Sequence, residues 1–262
     1  MWNHLDVRAY SAYMFAKEKL SKYLMFSFVK FNTSKKNIES FSCPICNYHG
    51  PFLNVRRRQE VCPKCSSVER HRLQFLVLQQ LSLNYDISQM SILHIAPEPF
   101  FKRIFEKKFL QYVATDISRK KNIDCQADLL NLPFKSKIFD CVFASHVLEH
   151  IQDDEKAIAE IKRILKPGGI AILPVPIVSK KTIEYPAPNP YESEHVRAPG
   201  LDYFDKYRRY FKEVIVFDSK NFPEECQLYI YENRTKYPNK KAPLREPVEG
   251  EKHDDFVPVC LA

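Results

Sequence analysis

The sequence predicts an α/β protein in which a mostly parallel sheet follows a small four-cysteine module. Three observations carry this reading. From residue 91 onward, short β-rich runs alternate with helical segments, the pattern of βαβ units. Upstream, Cys43-Pro-Ile-Cys46 and Cys62-Pro-Lys-Cys65 stand 15 residues apart, each pair separated by two residues. Downstream, Lys166-Pro167-Gly168-Gly169 stops a helical pattern and turns the chain into another apolar run.

Taken in order, residues 1–40 form an N-terminal segment with a helix over 5–31, where Leu5, Tyr13, Leu20, Leu24 and Phe28 recur at near-helical spacing. Residues 41–66 hold the cysteines. Residues 67–90 form a connecting helix: Ser66 and Glu69 have capping-box spacing, and Val68, Leu73, Leu76, Leu78 and Leu81 supply its apolar face. The main domain spans 91–232. Its strands are expected at 92–95, 112–115, 139–144, 170–173, 214–217 and 227–231, and its helices at 99–109, 153–165 and 201–211. Residues 233–262, rich in proline and charge, are set apart as a C-terminal tail or wrapping arm.

Composition bounds the function classes. With 45% hydrophobic and 27% charged residues, this is an ordinary globular chain and not a disordered one. No apolar run reaches the roughly 18 to 20 residues that a bilayer span requires, so no transmembrane segment is expected. Asp6, Lys17, Glu18 and Lys19 interrupt any secretory apolar core, which points to the cytoplasm, where paired thiols hold metal more often than they form disulfides. The net charge of +8 is confined to the front: residues 1–85 carry 13 Lys and Arg against 5 Asp and Glu, and residues 86–262 carry 27 against 27. A basic front end suits a polyanion such as RNA, a phosphorylated glycan or a lipid surface; a solvated lysine-rich face explains it equally well.

Two residues between cysteines let both sulfurs reach one ion, and a second such knuckle completes a tetrahedron with Zn–S near 2.3 Å. Cys43, Cys46, Cys62 and Cys65 are therefore read as ligands of a structural Zn²⁺, with no coordination position open for catalysis. Cys125, Cys141, Cys226 and Cys260 lack such pairing, and Cys141 reads as a core residue. Arg70 and Arg72 are read as braces between this ribbon and the main domain. Arg56 to Arg58 are left open between bracing and phosphate recognition.

In doubly wound sheets, ligands sit at the carboxyl ends of the strands, where the strand order reverses. The first strand ends in His94-Ile95-Ala96-Pro97-Glu98. The second ends at Asp116-Ile117, about 20 residues on, where a carboxylate can accept from both ribose hydroxyls. Asp128-Leu129 follow at a third strand end, placed for an adenine amino group and ring. The fourth strand runs into Ser145-His146-Val147-Leu148-Glu149-His150.

On these motifs the chain resembles the class I S-adenosylmethionine (SAM)-dependent methyltransferases, in the group called methyltransferase type 11. The matching stretches are Asp116, 127–134, 139–151 and 164–173, and the resemblance covers about residues 91–232. The cysteine ribbon, Ser67-Val68-Glu69-Arg70-His71-Arg72, Leu93 to Glu98 and His195-Val196-Arg197 are together similar to a bacterial zinc-ribbon subgroup. The resemblance implies a Rossmann-like seven-stranded sheet, mostly parallel with its last strand antiparallel. It also implies SAM as cofactor, held by His94, Ala96, Glu98, Asp116, Ile117, Asp128, Leu129 and Ser145. One departure stands out: the family's first turn is acidic and then glycine-rich, whereas here His94 takes the acidic position and no glycine lies between residues 51 and 167. Ala96 is small enough for close approach, and Glu98 is expected to meet the methionine ammonium.

An oxygen or nitrogen acceptor benefits from a base that takes its proton. His146 and His195 are the candidates; Glu149 and His150 are read as structural, and Tyr185 and Tyr191 as one wall of the acceptor pocket. The resemblance favours a small-molecule or glycan-precursor acceptor. RNA, held by the basic front end, is the alternative partner, and an inactive zinc-ribbon adaptor with the same fold is the second alternative.

Overall fold

A computed structural model describes residues 39–119 and 121–262. The helix expected at 5–31 lies outside the described residues. The chain opens with a short hairpin, β1 (Phe41–Ser42) and β2 (His49–Gly50), paired antiparallel. Helix α1 (Glu69–Leu81) follows. It starts on Val68, whose N–H donates to His71 Nδ1 at 3.4 Å. Ser66, expected to cap it, instead takes a left-handed φ of +61° in the turn after Cys65.

The main sheet has seven strands: β3 (Ser91–Ile95), β4 (Gln111–Asp116), β5 (Cys125–Gln126), β6 (Phe139–Ala144), β7 (Leu165–Ile172), β10 (Glu213–Asp218) and β13 (Phe256–Leu261). They lie side by side in the order β10-β13-β7-β6-β3-β4-β5. β3, β4, β5, β6 and β7 run parallel to one another, and β13 is antiparallel to both β7 and β10. From β3 the chain goes outward to β4 and β5, then returns to place β6 on the other side of β3. The order therefore reverses between β3 and β6, and a ligand crevice opens at such a point.

Alternation along the strands splits the core into two layers. Leu93, Val142 and Ala171 pack under α3 (Asp154–Ile164) and α4 (Phe204–Arg208). Ile92, Cys141, Phe143, Ile170 and Ile172 pack under α1 and α2 (Pro99–Lys108). Burial raises the Cys141 thiol pKa, as befits a core residue. Both glycines between α3 and the inner part of β7 have geometric reasons. Gly168 adopts φ +75°, and a Cβ on Gly169 would lie 2.9 Å from Lys166 O and 3.1 Å from Asp140 O.

Three expectations need correction. The last strand of the sheet comes from the segment set apart as a tail: 256–261 inserts between β7 and β10, with Val257 and Val259 fully buried. Proline argues against a central strand because it cannot donate to the ladder. Pro258 sits there by using its carbonyl, which accepts from Leu173 N–H at 3.2 Å. Residues 227–231 do not join the main sheet. Only Ile230–Tyr231 (β11) is extended, paired with Lys252–His253 (β12) in a separate ribbon. Helix 201–211 is also shorter than expected, a 3₁₀ turn at Leu201–Tyr203 leading into α4. Among the described residues no helix is long and apolar enough to cross a membrane.

Candidate functional site

The four paired cysteines converge. Their sulfurs lie within 4.8 Å of one another, with Cys43–Cys65 and Cys46–Cys62 both at 3.6 Å. A tetrahedron with 2.3 Å metal–sulfur bonds has edges of about 3.8 Å, so the group could hold one metal ion with little rearrangement. Each knuckle closes through a left-handed residue just after its second cysteine, Asn47 at φ +56° and Ser66 at φ +61°. Arg72 fixes this module to the main domain. Its guanidinium is fully buried and donates to the carbonyls of Glu60, Ser67, Cys226 and Gln227, with Phe52 beneath it at 4.6 Å. The arginines between the knuckles are engaged as well: Arg56 and Arg57 pair with buried Glu60, Arg57 also with Glu69, and Arg58 with Glu39.

At the carboxyl end of β3 the chain bends through Ala96, which adopts φ +50° and donates its N–H to Thr115 O at 2.8 Å. Glycine usually fills such a position because a side chain there costs about 1–2 kcal/mol. Alanine is the least bulky residue that still carries that penalty. Two residues on, Glu98 Oε1 accepts from Arg70 at 2.5 Å and lies 3.4 Å from His71 Nε2, both on the first turn of α1. Burial pushes the Glu98 carboxyl up, but His71 and Arg70 outweigh it and hold it at about 2, so it is ionised. Its Oε2 and the Arg70 Nε are buried without hydrogen-bond partners. Phe100 does not fill the turn with an unanchored ring; it stacks on His71 at 4.8 Å.

Asp116 ends β4, is 5% exposed, and accepts from Ser118 N–H at 2.8 Å. Ile117 beside it is exposed. Ala127 N–H donates to Asp116 O at 3.0 Å, which brings the Asp128 segment against the end of β4. Asp128 is exposed and accepts from Leu130 N–H, whereas the Leu129 side chain packs into the core beneath α3. At the end of β6, Ser145 Oγ accepts from Gln74 of α1 at 3.0 Å. The first turn, Asp116, the Asp128 segment and Ser145 thus follow the carboxyl ends of β3, β4, β5 and β6, and α1 brings Arg70 and His71 to Glu98 and Gln74 to Ser145. Sequence reasoning had set Arg70 aside as a brace.

His94, expected at the cofactor turn, packs into the core, as Leu129 does. It faces the α2 layer, 1% exposed, enclosed by Phe105, Tyr112 and Phe143, with Nδ1 3.1 Å from the Tyr112 hydroxyl. Burial pushes its pKa down to about 3, so it is a neutral core imidazole.

On the other flank of β6, His146 adopts φ +55° and sets its Nδ1 3.3 Å from Glu149 Oε1. Glu149 is fully buried on the 3₁₀ turn Leu148–His150. The hairpin β8 (Ile183–Asn189) and β9 (His195–Ala198) brings His195 Nε2 to 4.0 Å from the same oxygen and its ring to 4.6 Å from that of His150. Arg197, 1% exposed, ties the two segments together by donating to the carbonyls of Leu148, Ile151 and Gln152 and to the Glu184 carboxylate. Tyr185 is buried in the hairpin and donates to Glu192 at 2.5 Å, while Tyr191 is exposed. Glu149 and His150, read from sequence as structural, therefore share one cluster with His146 and His195. The available signal was a Glu-His pair placed directly after a strand end.

Comparison with known proteins agrees with this geometry. Residues 100–173 match the Methyltransf_11 family model, a methyltransferase domain. An uncharacterized 37.1 kDa protein in transposon TN4556 of Streptomyces fradiae is 37% identical over 59 residues, 22% of this chain and 17% of that protein. The ubiquinone/menaquinone biosynthesis C-methyltransferase UbiE of Francisella tularensis subsp. novicida is 41% identical over 66 residues, 23% of this chain and 26% of that enzyme. The chain thus spans about a quarter or less of the length of these curated relatives. Among solved structures, the [4+2]-cyclase SpnF is similar with a TM-score of 0.50 at 17% identity, covering 84% of this chain and 87% of that one. A SAM-dependent methyltransferase from Mesorhizobium loti gives a TM-score of 0.48 at 14% identity, covering 72% of this chain and 98% of that one. The main domain has the methyltransferase fold, joined to a four-cysteine module that could hold a metal ion.

Proposed function

We propose that this protein is a SAM-dependent methyltransferase that methylates an oxygen or nitrogen of a small molecule or glycan precursor, with a structural zinc ion in its four-cysteine module. The observation that carries the reading is the pair of buried, unpartnered atoms beside the first turn: Glu98 Oε2, an ionised acceptor, and Arg70 Nε, a donor. A zwitterionic amino acid needs both, the carboxylate for its ammonium and the guanidinium for its carboxylate. In this reading Asp116, at the end of β4, takes the ribose, and Asp128 and Ile117 take the base. The bound cofactor supplies an already activated methyl group. The protein's own work is to hold the acceptor in line and exclude water, with His146 and His195 on the acceptor side. All four sulfurs of the ribbon serve the ion, which leaves it no catalytic position. The RNA reading gains no support from Arg56 to Arg58, because carboxylates already engage them.

Titration calorimetry with SAM on zinc-loaded protein tests this. The wild type should bind one equivalent, and Asp116→Ala should weaken binding at least about tenfold with an unchanged melting temperature. A folded, zinc-loaded wild type that binds no SAM would overturn the assignment.

A further inference from the structure

We propose that Glu149, His150 and His195 bind a divalent transition-metal ion, a second metal site separate from the four cysteines. One ligand atom from each residue lies within 4.8 Å of the others. Two imidazoles and one carboxylate form a three-ligand set that suits a first-row ion and leaves coordination positions open.

The strongest evidence is Glu149. Its side chain has no solvent exposure, and neither carboxylate oxygen has a hydrogen-bond partner. A buried carboxylate in that condition needs a cation or a set of donors to compensate for its lost hydration. The nearest groups do not suffice. His146 Nδ1 is 3.3 Å away without hydrogen-bond alignment, and His195 Nε2 is 4.0 Å away. His195 Nδ1 is also buried and unpartnered. Two unsatisfied carboxylate oxygens thus lie against the His195 imidazole, beside an exposed His150 through which an ion can enter.

The scaffold is built as metal sites are. Ligands bonded at about 2.1 Å to a common ion lie roughly 3–3.4 Å apart, so the cluster must tighten by up to about 1.4–1.8 Å. Arg197 holds the two ligand-bearing segments together through the carbonyls of Leu148 and Ile151, which flank the Glu149-His150 pair. Such outer contacts keep first-shell ligands in place.

Ligation changes the role of His195 from base to ligand. With two imidazoles and a carboxylate as ligands, an ion held there would keep positions open for an oxygen-bearing acceptor, such as a hydroxyl. This last step rests on the methyltransferase reading; the metal site itself does not.

The test is a Co²⁺ titration of the full chain carrying one zinc, followed by its visible spectrum. The expected result is one Co²⁺ per chain with d–d bands and no sulfur-to-cobalt charge transfer, since carboxylate and imidazole, not thiolate, would ligate it. Glu149→Gln and His195→Ala should weaken Co²⁺ binding at least about tenfold while the bound zinc stays at one per chain. Because a buried Glu149→Gln could fail to fold, His150→Ala, at an exposed position, is the second variant and should show the same loss. The proposal is overturned if the wild type takes up no Co²⁺ beyond the thiolate site, or if His150→Ala and His195→Ala bind it as the wild type does. SAM calorimetry on the same samples separates the two readings. SAM binding without Co²⁺ uptake removes the metal site alone, and Co²⁺ uptake without SAM binding removes the methyltransferase assignment alone.

Discussion

His94 offers a quantitative test of how the fold treats its displaced acidic position. In the folded chain its pKa is pushed from 6.5 down to about 3, because burial among Phe105, Tyr112 and Phe143 penalises the imidazolium. The unfolded chain therefore takes up the proton first. Stability is complete above pH 6.5 and is lost as pH falls toward 3, with a slope of about 1.4 kcal/mol per pH unit. Between pH 6.5 and 4.5 this one residue should remove about 2.3 kcal/mol. Burial also lowers the pKa of His71 and His253, so the wild-type curve alone does not isolate His94. The comparison is with His94→Gln, which keeps a polar group near the Tyr112 hydroxyl but cannot titrate. Any packing loss in this variant shifts stability equally at every pH; only the difference in slope reports the imidazole. Urea unfolding of both proteins at pH 7.5, 6.5, 5.5 and 4.5 measures it. The wild-type curve should fall more steeply by about 1.4 kcal/mol per unit. Parallel curves would refute the claim that His94 is a neutral core residue.

Three further outcomes follow from the same geometry. Arg72→Met should destabilise the protein by about 3–5 kcal/mol in urea unfolding, because it strands carbonyls that a buried cation now satisfies. Cys43→Ser should release one zinc per chain by metal analysis and open residues 41–80 to limited proteolysis, leaving the 91–262 core resistant. Ala96→Gly should raise stability by up to about 1 kcal/mol without weakening SAM binding, since it relieves the left-handed φ of +50° at no loss of buried side chain beyond a methyl.

How much of this could be read from the amino acids depended on what each residue's signal was about. Periodicity located β3, β4, β6 and the helices at 99 and 153 to within a residue or two, because each has one buried face and one exposed face or lies wholly in the core. It failed at β13, because the proline and charge of 233–262 as a whole masked the short apolar run at its end, where the carbonyl of Pro258 serves the sheet. The paired cysteines were legible because two-residue spacing is a local constraint. The position of His94 was not. Its place in a motif put it at the cofactor turn, but strand alternation turns its side chain to the layer opposite Leu93. Glu149 was missed for a related reason: the sequence shows a Glu-His pair, but only the hairpin carrying His195 makes its burial without partners visible.

The glycine-poor first turn is best understood together with the cysteine module and not as a defect of the motif. A glycine-rich turn works by leaving backbone N–H groups exposed to a ligand. Here Ala96 and Pro97 give up part of that, and the compensation comes from outside the sheet. Helix α1 leaves the second knuckle at Glu69 and at once places Arg70 and His71 on Glu98, then Gln74 on Ser145. Arg72, between them, anchors the same turn to the module and to Cys226 and Gln227. The proposed cofactor site therefore owes one wall to a helix whose start is set by a cysteine knuckle that could hold a metal ion. On the proposed reading, the four cysteines do more than fold an appendage: without an ion, the first turn of α1 loses its fixed origin, and Glu98 loses the partners that keep it ionised and aimed. Zinc removal by a chelator should then weaken SAM binding even though no cysteine comes from the main sheet. A zinc-free protein that binds SAM as tightly as the loaded one would break that link.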